Sequence, residues 1–342
     1  MNGKLESARP DKAVIAYCGR CREAFKGVPV IAGGLEASLR RLSHYDYLSD
    51  TVRKPIILDS KADLVVYGMG ERAISEVAAR LAQASDAHGG AAIGATSGDP
   101  AAGREAAFEP ASLRGIRGTV WRTAKEAELP SGAVRLPDHE AASSDARAFA
   151  ESFAAQYRNT DPGSARQLVE AAAGQFVVQE PPQAPLSRAE LDLVYGLRFE
   201  RAWHPVYDRY KGVPALSEVK FSIASSRGCY GACAFCALAF HQGRIVSGRS
   251  KESIVEEVRA LTKLPDFKGY IHDVGGPTAN FRGPACKKQA SGSACVDRRC
   301  LAPEPCPSLE VDHRDYIGVL RAVRAVPGVK KAFVRSGVRF DY

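Results

Sequence analysis

No stretch of this sequence approaches the ~20 consecutive apolar residues that a membrane-spanning helix needs. No basic and apolar leader precedes the first strand-like segment, so we expect a cytoplasmic protein without a membrane partner. The chain also has no block of lysine and arginine interleaved with aromatic residues, although its formal net charge is +8. A dedicated nucleic-acid surface is therefore not indicated. The diffuse positive charge leaves an anionic substrate, nucleic acid or an anionic group inside the protein open as partners.

Nine cysteines are present, and disulfides are not the expected use of them, because the cytosol keeps thiols reduced. Metal or redox chemistry explains them better, and seven of the nine lie between residues 229 and 306. The length of 342 residues is enough for two domains of about 150 residues each. A hydrophobic content of 45% and a charged content of 25% are typical of a soluble globular protein.

Three of these cysteines, Cys229, Cys233 and Cys236, lie in one short glycine-containing loop directly after the strand-like run 219–224. Three thiolates can hold three irons of a four-iron cluster, which leaves the fourth iron open to a small molecule. Two alternatives stay open at this point: packed free thiols, and a zinc site with His241 as the fourth ligand.

The first half of the chain alternates short apolar runs with helical patterns, as in an α/β sheet with crossover helices. Its domain is predicted to span 1–185, with a flexible insertion at about 85–112 that is rich in Ala, Gly, Ser and Asp. The predicted strands are 13–17, 28–32, 64–67, 116–121 and 175–179. The predicted helices are 36–42, 71–84 and 142–157.

A linker at 186–214 is predicted to join this domain to a second one at 215–342, which carries a Cys-rich insertion at 284–307. The second domain reads as strand 219–224, helix 251–262, strand 269–274, helix 314–325 and strand 331–335. Chemistry placed after the C-terminal ends of strands is typical of a β/α barrel, and both the cysteine loop and a glycine loop follow strands.

Long strings along the chain, together with the cysteine loop, resemble the YgiQ-like family of radical S-adenosylmethionine (SAM) proteins. The strings begin at Gly33, His44, Asp63, Phe240 and His272, and read GGLEASLRR, HYDY, DLVVYGMGE, FHQGR and HDVGGPTAN. The resemblance implies a Rossmann-like α/β domain, similar to cobalamin-binding domains, followed by a partial radical SAM β/α barrel. It does not identify a substrate.

The same resemblance implies roles for individual residues. Cys229, Cys233 and Cys236 would hold a [4Fe-4S] cluster, and SAM would bind the open iron. Gly275 and Gly276, followed by Pro277, match the family's glycine motif for the SAM amino group, and glycines after a strand do let backbone approach a ligand closely. Phe235 would shield the cluster. Reductive cleavage of SAM to a 5'-deoxyadenosyl radical would need an external reductant such as a flavodoxin or ferredoxin.

The chain also departs from the family pattern. Half of a six-stranded barrel is absent, so we expect a fragment or split gene product, inactive alone or completed by a second chain that pairs with its exposed sheet edge. The Asp-x-His-x-x-Gly loop by which many such domains ligate cobalt is not found, so cobalamin is not expected.

A second group, Cys286, Cys295, Cys300 and Cys306, lies in a segment with little apolar material of its own. Metal ligation would supply the missing order. An auxiliary iron-sulfur cluster is the first interpretation, structural zinc the second and unligated thiols the third. Cys18 and Cys21 form a Cys-x-x-Cys pair for which a structural role is favoured over a redox one. The competing functional hypotheses are a non-catalytic metal-stabilised module that binds RNA and an inactive fragment.

Overall fold

The computed structural model describes residues 10–87 and 109–342. The chain divides into two compact units, 1–183 and 184–342. Within the described residues, no helix is both long and apolar enough to cross a membrane. Most of the predicted insertion at 85–112 lies outside the described residues.

A six-stranded mixed sheet with helices forms the first unit, which makes it an α/β structure. Its helices are α1 (Ala13–Ala24), α2 (Gly34–Leu39), α3 (Ile56–Ser60), α4 (Glu71–Ala87), α5 (His139–Ser144) and α6 (Ala146–Arg158). Its strands are β1 (Ile31–Ala32), β2 (His44–Asp46), β3 (Thr51–Arg53), β4 (Leu64–Val66), β5 (Thr119–Thr123), β6 (Val134–Arg135), β7 (Leu168–Ala172) and β8 (Gln175–Gln179).

The order of the large sheet is β1-β4-β5-β8-β7-β6, and β2 and β3 form a separate hairpin. The pairs β1–β4 and β6–β7 are parallel, whereas β4–β5, β5–β8 and β7–β8 are antiparallel. Three antiparallel pairings do not fit the predicted Rossmann-like domain, because a doubly wound fold is built on a mostly parallel sheet. The α/β class is confirmed, and the Rossmann-like and cobalamin-binding-like details are not.

Both faces of this sheet are buried, as the alternation of side chains along its strands shows. Val65 and Val177 pack in one apolar cluster, whereas Leu64, Val66 and Val178 pack in another on the opposite face. Successive residues of a strand point to opposite faces, so a strand buried on both sides is apolar throughout. This explains why a continuous apolar run predicted β4.

Two predictions in this unit were wrong. The run 13–17, predicted as a strand, is the start of helix α1, because a short apolar run does not by itself distinguish the two structures. Cys18 and Cys21 therefore lie on a helix, with Cys18 buried and Cys21 exposed. The predicted helix 142–157 is two helices, because the Asp145 side chain accepts a hydrogen bond from the Arg147 amide and starts α6 anew.

Short strands and two longer helices make up the second unit. Its helices are α7 (Arg188–Tyr195), α8 (Leu216–Val219), α9 (Leu238–Gln242), α10 (Lys251–Thr262), α11 (Lys287–Ala290) and α12 (Arg314–Arg324). Its strands are β9 (Ser222–Ala224), β10 (Ser226–Arg227), β11 (Ser247–Gly248), β12 (Tyr270–Ile271), β13 (Asp273–Gly275) and β14 (Lys331–Ala332). Part of the predicted linker, 186–214, is helix α7, whose capping box joins Ser187 and Glu190.

Two parallel strand pairs form in this unit: β9 pairs with β13, and β12 pairs with β14. Because β12 and β13 are consecutive in the chain, the two pairs are linked. Helices α10 and α12 pack against them through one apolar cluster that includes Val258, Val274 and Val319. The run 219–224 was predicted as one strand, but its first residues belong to the end of α8 and the strand begins at Ser222. Successive parallel strands with helices between them are what a β/α barrel uses, and the barrel itself stays a prediction.

Candidate functional site

The cysteine loop is closed at its base by an antiparallel pair of strands. Ser226 pairs with Gly248 and Arg227 with Ser247, so that β10 and β11 form a neck and residues 228–246 the loop. Within it, the Cys229 amide donates to the Gly243 carbonyl at 3.0 Å. Gly228 follows the neck with φ +84°, a conformation that only glycine adopts at low cost, and a side chain there would collide with the Ile245 carbonyl.

The three thiols of this loop have different surroundings. Cys229 is buried, its sulfur lies 3.7 Å from Thr278 Oγ1, and it accepts a hydrogen bond from the Gly231 amide at 3.4 Å. Cys233 is half-buried and accepts a hydrogen bond from Arg339 Nη1 at 3.0 Å. Cys236, also half-buried, is joined to Cys233 by a bond from its amide to the Cys233 carbonyl at 3.1 Å.

These contacts test whether the loop fits a metal cluster. N–H donors aimed at Cys229 and Cys233 suit sulfurs that carry negative charge, because a charged acceptor strengthens such bonds. Over 10–87 and 109–342, however, no three His, Cys, Asp or Glu side chains are grouped closely enough to hold a metal ion as they stand. The loop thus supplies three thiols that are suitable metal ligands, but their sulfurs are not yet close enough together to bind one metal centre. Phe235, the predicted shield, is 93% exposed.

Gly275 and Gly276 lie at the end of β13, where the backbone is packed too closely for side chains. A Cβ at Gly275 would collide with Ser336 Oγ and lie 2.9 Å from Asp273 Oδ2. A Cβ at Gly276 would collide with Ser226 Oγ and lie 3.0 Å from the Ser226 carbonyl oxygen. The backbone at Gly275 therefore packs directly against Ser336, and the backbone at Gly276 packs directly against Ser226.

A cavity of about 360 Å³ opens at this end of the strands. It is lined by Arg227 of β10, by the cysteine-loop residues Leu238 and Gln242, by Gly275, Gly276 and Pro277, and by Tyr195, Asp273 and Ser336. That volume is at the lower end of the range for small-molecule sites. The predicted glycine motif and the C-terminal part of the cysteine loop thus meet at one cavity.

Polar side chains shape two walls of the cavity. Arg227 Nε donates to the Tyr195 hydroxyl at 3.1 Å, and its guanidinium lies 5.0 Å from the centre of the Tyr195 ring. On the other side, Asp273 accepts hydrogen bonds from the Arg335 amide at 2.8 Å and from the Ser336 hydroxyl. The buried hydroxyl of Ser226 has no hydrogen-bond partner within the described part of the chain, which leaves it available to a ligand.

The other three cysteines of the second group, Cys286, Cys295 and Cys306, lie near Cys300. Burial raises the pKa of the Cys300 thiol, nearby Arg244 lowers it, and the thiols of Cys286, Cys295 and Cys306 raise it further. The Cys306 amide donates to the Cys300 carbonyl at 2.8 Å. All four cysteines are half-buried. Within the described residues, their side chains are not grouped closely enough to hold a metal ion as they stand.

Arg244 connects this second group to the cysteine loop. It is buried, with 5% of its surface exposed. Its guanidinium donates to the carbonyl oxygens of Cys295 at 2.6 Å and Arg298 at 2.7 Å. The Cys-rich segment is therefore fixed to the base of the cysteine loop by a buried cation.

Several residues of the site were not predicted from the sequence. Tyr195 lies in the predicted linker, and Ser336 and Arg339 lie in a segment without a motif, so no sequence signal indicated them. Asp273 stands inside one of the recognised strings, HDVGGPTAN, and its position next to the glycines was the available signal.

Comparisons with known proteins add an independent finding. The family described as Radical SAM N-terminal matches residues 1–222, which end before the cysteine loop. A UPF0313 protein of Clostridium perfringens is 50% identical over 334 residues, which cover 98% of this chain and 47% of that protein. A UPF0313 protein of Clostridium botulinum is 46% identical over 340 residues, 99% of this chain and 49% of that protein.

The chain spans about half the length of the curated relatives it matches. Their alignments extend through the second unit, so the cysteine loop lies within the shared part even though the family match stops at residue 222. The relatives are named UPF0313, and the more specific YgiQ-like name stays a prediction.

Proposed function

The chain belongs to the Radical SAM N-terminal family, and from this premise we propose that its second unit binds a [4Fe-4S] cluster and SAM. Cys229, Cys233 and Cys236 would hold three irons, and the cavity that Leu238 and Gln242 of the same loop line would take SAM. The observation that carries the proposal is that residues of the cysteine loop line one cavity with Gly275 and Gly276, which end β13, the parallel partner of the strand β9 that precedes the loop.

A cluster held by three thiolates would keep one iron open to SAM, and the reduced cluster would supply the one electron that cleaves SAM to methionine and a 5'-deoxyadenosyl radical. The protein's own residues bind and orient. Gly276 brings its backbone to the cavity wall, where a Cβ would collide with Ser226. Asp273 holds the amides and hydroxyl of the segment after β14, which fixes the far wall.

The Arg227 guanidinium would supply a positive charge to pair with the carboxylate of SAM. It lines the cavity from β10, directly before the cysteine loop, and its contact with Tyr195 sets its direction. A guanidinium is a good partner for a carboxylate, and SAM carries one on its methionyl part. The electron would come from a reductant such as a flavodoxin or ferredoxin. The molecule attacked by the radical is not identified by these residues.

Anaerobic reconstitution tests the proposal directly. The chain should take up iron and acid-labile sulfide in a ratio near one, and adding SAM should change the EPR spectrum of the reduced cluster. A triple change of Cys229, Cys233 and Cys236 to Ala should lower the bound iron and sulfide by one cluster and abolish the effect of SAM on the EPR spectrum. Cys21→Ala is the matched control, because Cys21 is an exposed cysteine of the other unit. Zinc bound in place of iron in the parent chain, or an unchanged iron content and SAM response in the triple variant, would contradict the proposal.

We also propose a second metal site at Cys286, Cys295, Cys300 and Cys306, with an auxiliary iron-sulfur cluster preferred over zinc. The supporting observations are that the Cys306 amide bonds to the Cys300 carbonyl, that Arg244 holds the Cys295 carbonyl, and that the other three thiols are near enough to Cys300 to raise the pKa of its thiol. Binding energy would order a segment that has only the short helix α11 and little apolar material. Metal analysis of the Cys295→Ala, Cys300→Ala variant decides: unchanged iron and zinc relative to the parent chain would refute the second site.

A further inference from the structure

A short stretch after β14, residues 337–342, lies against the cysteine loop, and we term it the clamp segment. At its centre, Arg339 Nη1 donates to the sulfur of Cys233 at 3.0 Å. The guanidinium is held in that direction by Asp341, whose Oδ1 accepts from Arg339 Nε at 2.7 Å. Arg339 Nη1 also lies over Gly231, where a Cβ would be only 2.7 Å from it.

The backbone of the clamp segment is fixed by a two-point contact with one buried side chain. Asn280 Oδ1 accepts from the Arg339 amide at 3.0 Å, and Asn280 Nδ2 donates to the Arg339 carbonyl at 3.1 Å. A further bond runs from the Ala279 amide to the Gly337 carbonyl at 2.9 Å. Because Asn280 is only 4% exposed, these bonds are shielded from water and place the guanidinium with little freedom.

Aromatic packing holds the end of the clamp segment. The Tyr342 ring lies 5.0 Å from that of Phe281 and 5.6 Å from that of Tyr230, in edge-to-face arrangements. Tyr230 and Phe281 are themselves stacked at 3.9 Å and fully buried. Tyr230 is the residue next to Cys229, so the clamp segment contacts the cysteine loop at two places.

We infer that Arg339 is a positioning residue that fixes the Cys233 sulfur and raises the reduction potential of the cluster bound there. The inference rests on the proposed function, since it concerns the cluster that Cys229, Cys233 and Cys236 would hold. A reduced cluster carries one more negative charge than an oxidised one. A charged N–H donor on a ligand sulfur stabilises the more negative form, and hydrogen bonds to the sulfurs are one of the factors that set such potentials.

Two variants separate charge from shape. Arg339→Gln removes the cation, whereas Arg339→Lys keeps it on a shorter donor. Arg335→Gln is the matched control, because Arg335 is a neighbouring arginine whose guanidinium pairs with Glu218 and contacts no cysteine. All are reconstituted as the full chain, iron and sulfide are measured, and the cluster is titrated with dithionite under EPR.

We expect Arg339→Gln to disfavour the reduced cluster about tenfold, which is about 59 mV towards negative potential for a one-electron couple. Arg339→Lys should shift less, and Arg335→Gln should match the parent chain. Loss of iron from Arg339→Gln but not from Arg339→Lys would also support the positioning role.

The inference is overturned if Arg339→Gln keeps both the iron content and the potential of the parent, or if Arg339→Lys behaves no better than Arg339→Gln. A parent chain that takes up no iron and sulfide is a different result, because it refutes the proposed function and the inference with it. Normal loading of the parent with an unshifted Arg339→Gln refutes the inference alone.

Discussion

Gly228 is the position where a single methyl group should do most damage to the cysteine loop. It lies directly after the β10–β11 neck with φ +84°, where an L residue costs about 1–2 kcal/mol of backbone strain. An alanine Cβ would also collide with the Ile245 carbonyl group, whose carbon would lie 2.9 Å away, and would lie 3.2 Å from Val246 Cα. These are backbone atoms of the opposite side of the loop, so they have no side-chain rotamer with which to move aside.

Forcing extra atoms into a packed site typically costs about 1–3 kcal/mol. Added to the strain, Gly228→Ala should lower the free energy of unfolding by about 2–5 kcal/mol. Gly292→Ala is the matched control in the same unit: Gly292 has φ +88°, and a Cβ there meets no atom within 4 Å. It should cost only the strain, about 1–2 kcal/mol.

Urea denaturation of the full apo chain, followed by circular dichroism, measures both variants against the parent. The difference between them isolates the collision from the strain, because both replace glycine by alanine at nearly the same φ. Equal destabilisation of the two variants would refute the claim that the base of the loop is packed too tightly for a side chain. If the collision at Gly228 is the larger effect, anaerobic reconstitution should also show less iron bound by Gly228→Ala than by Gly292→Ala.

Three further predictions concern the cofactor cavity and the first unit. Gly276→Ala should weaken SAM binding in equilibrium dialysis by about tenfold to a hundredfold, while Gly283→Ala, whose Cβ meets no neighbour within 4 Å, should not. Burial raises the pKa of Glu170 from 4.5 to about 7, so the folded chain keeps a proton that the unfolded chain loses between those values. Its stability should fall as pH rises through that window, by about 3 kcal/mol at most, and Glu170→Gln should abolish that dependence in urea titrations at pH 4.5 and 7.5. Iodoacetamide should label exposed Cys21 before Cys18, because burial both covers Cys18 and raises the pKa of its thiol, and mass spectrometry of the peptides would show the reverse order if this is wrong.

Elements with a local signal were predicted well. Helix α10 was predicted at its observed limits, since Ser250 caps it by accepting from the Ser253 amide and its apolar residues recur at helical spacing. Strand β8 was also predicted at its observed limits, because a pair of prolines, Pro181 and Pro182, follows one residue after its end. In both, the signal that ends the element lies within a few residues of it.

Elements that depend on distant partners were missed or wrong. Strand β7 was not predicted, because the acidic Glu170 interrupts its apolar run. The Glu170 side chain is buried and accepts a hydrogen bond from the Ser43 amide, far away in the chain, at 2.8 Å. The mixed order of the large sheet could not be read either, since antiparallel and parallel neighbours are chosen by long-range packing. The strong family strings in this half predicted membership but not topology.

The site shows the same division between local and distant signals. The cysteine spacing predicted which residues share a loop, and the glycine pair predicted which loop faces it across the cavity. Neither could predict Arg339, which is 106 residues from the thiol it contacts. A contact of that kind is set by how the clamp segment packs on Tyr230, Phe281 and Asn280, and these residues have no common spacing with it.

The state of the cysteine loop suggests how the protein and a cluster would share the work of assembly. The base of the loop is already fixed by the β10–β11 pair and by Gly228, whereas the three sulfurs have not converged on one centre within the described residues. Ordering each residue costs about 1–2 kcal/mol, so a loop that is closed at its base leaves a smaller cost to be met by metal binding. Gly228 and Arg339 would then act at different steps: the first limits how many residues remain to be ordered, and the second limits where one sulfur can go. If so, changes at the two positions should lower iron binding independently, and the double variant should show the sum of the two effects. A Cβ added at Gly228 would meet Ile245 and Val246, whereas Arg339 bonds to Cys233, Asn280 and Asp341.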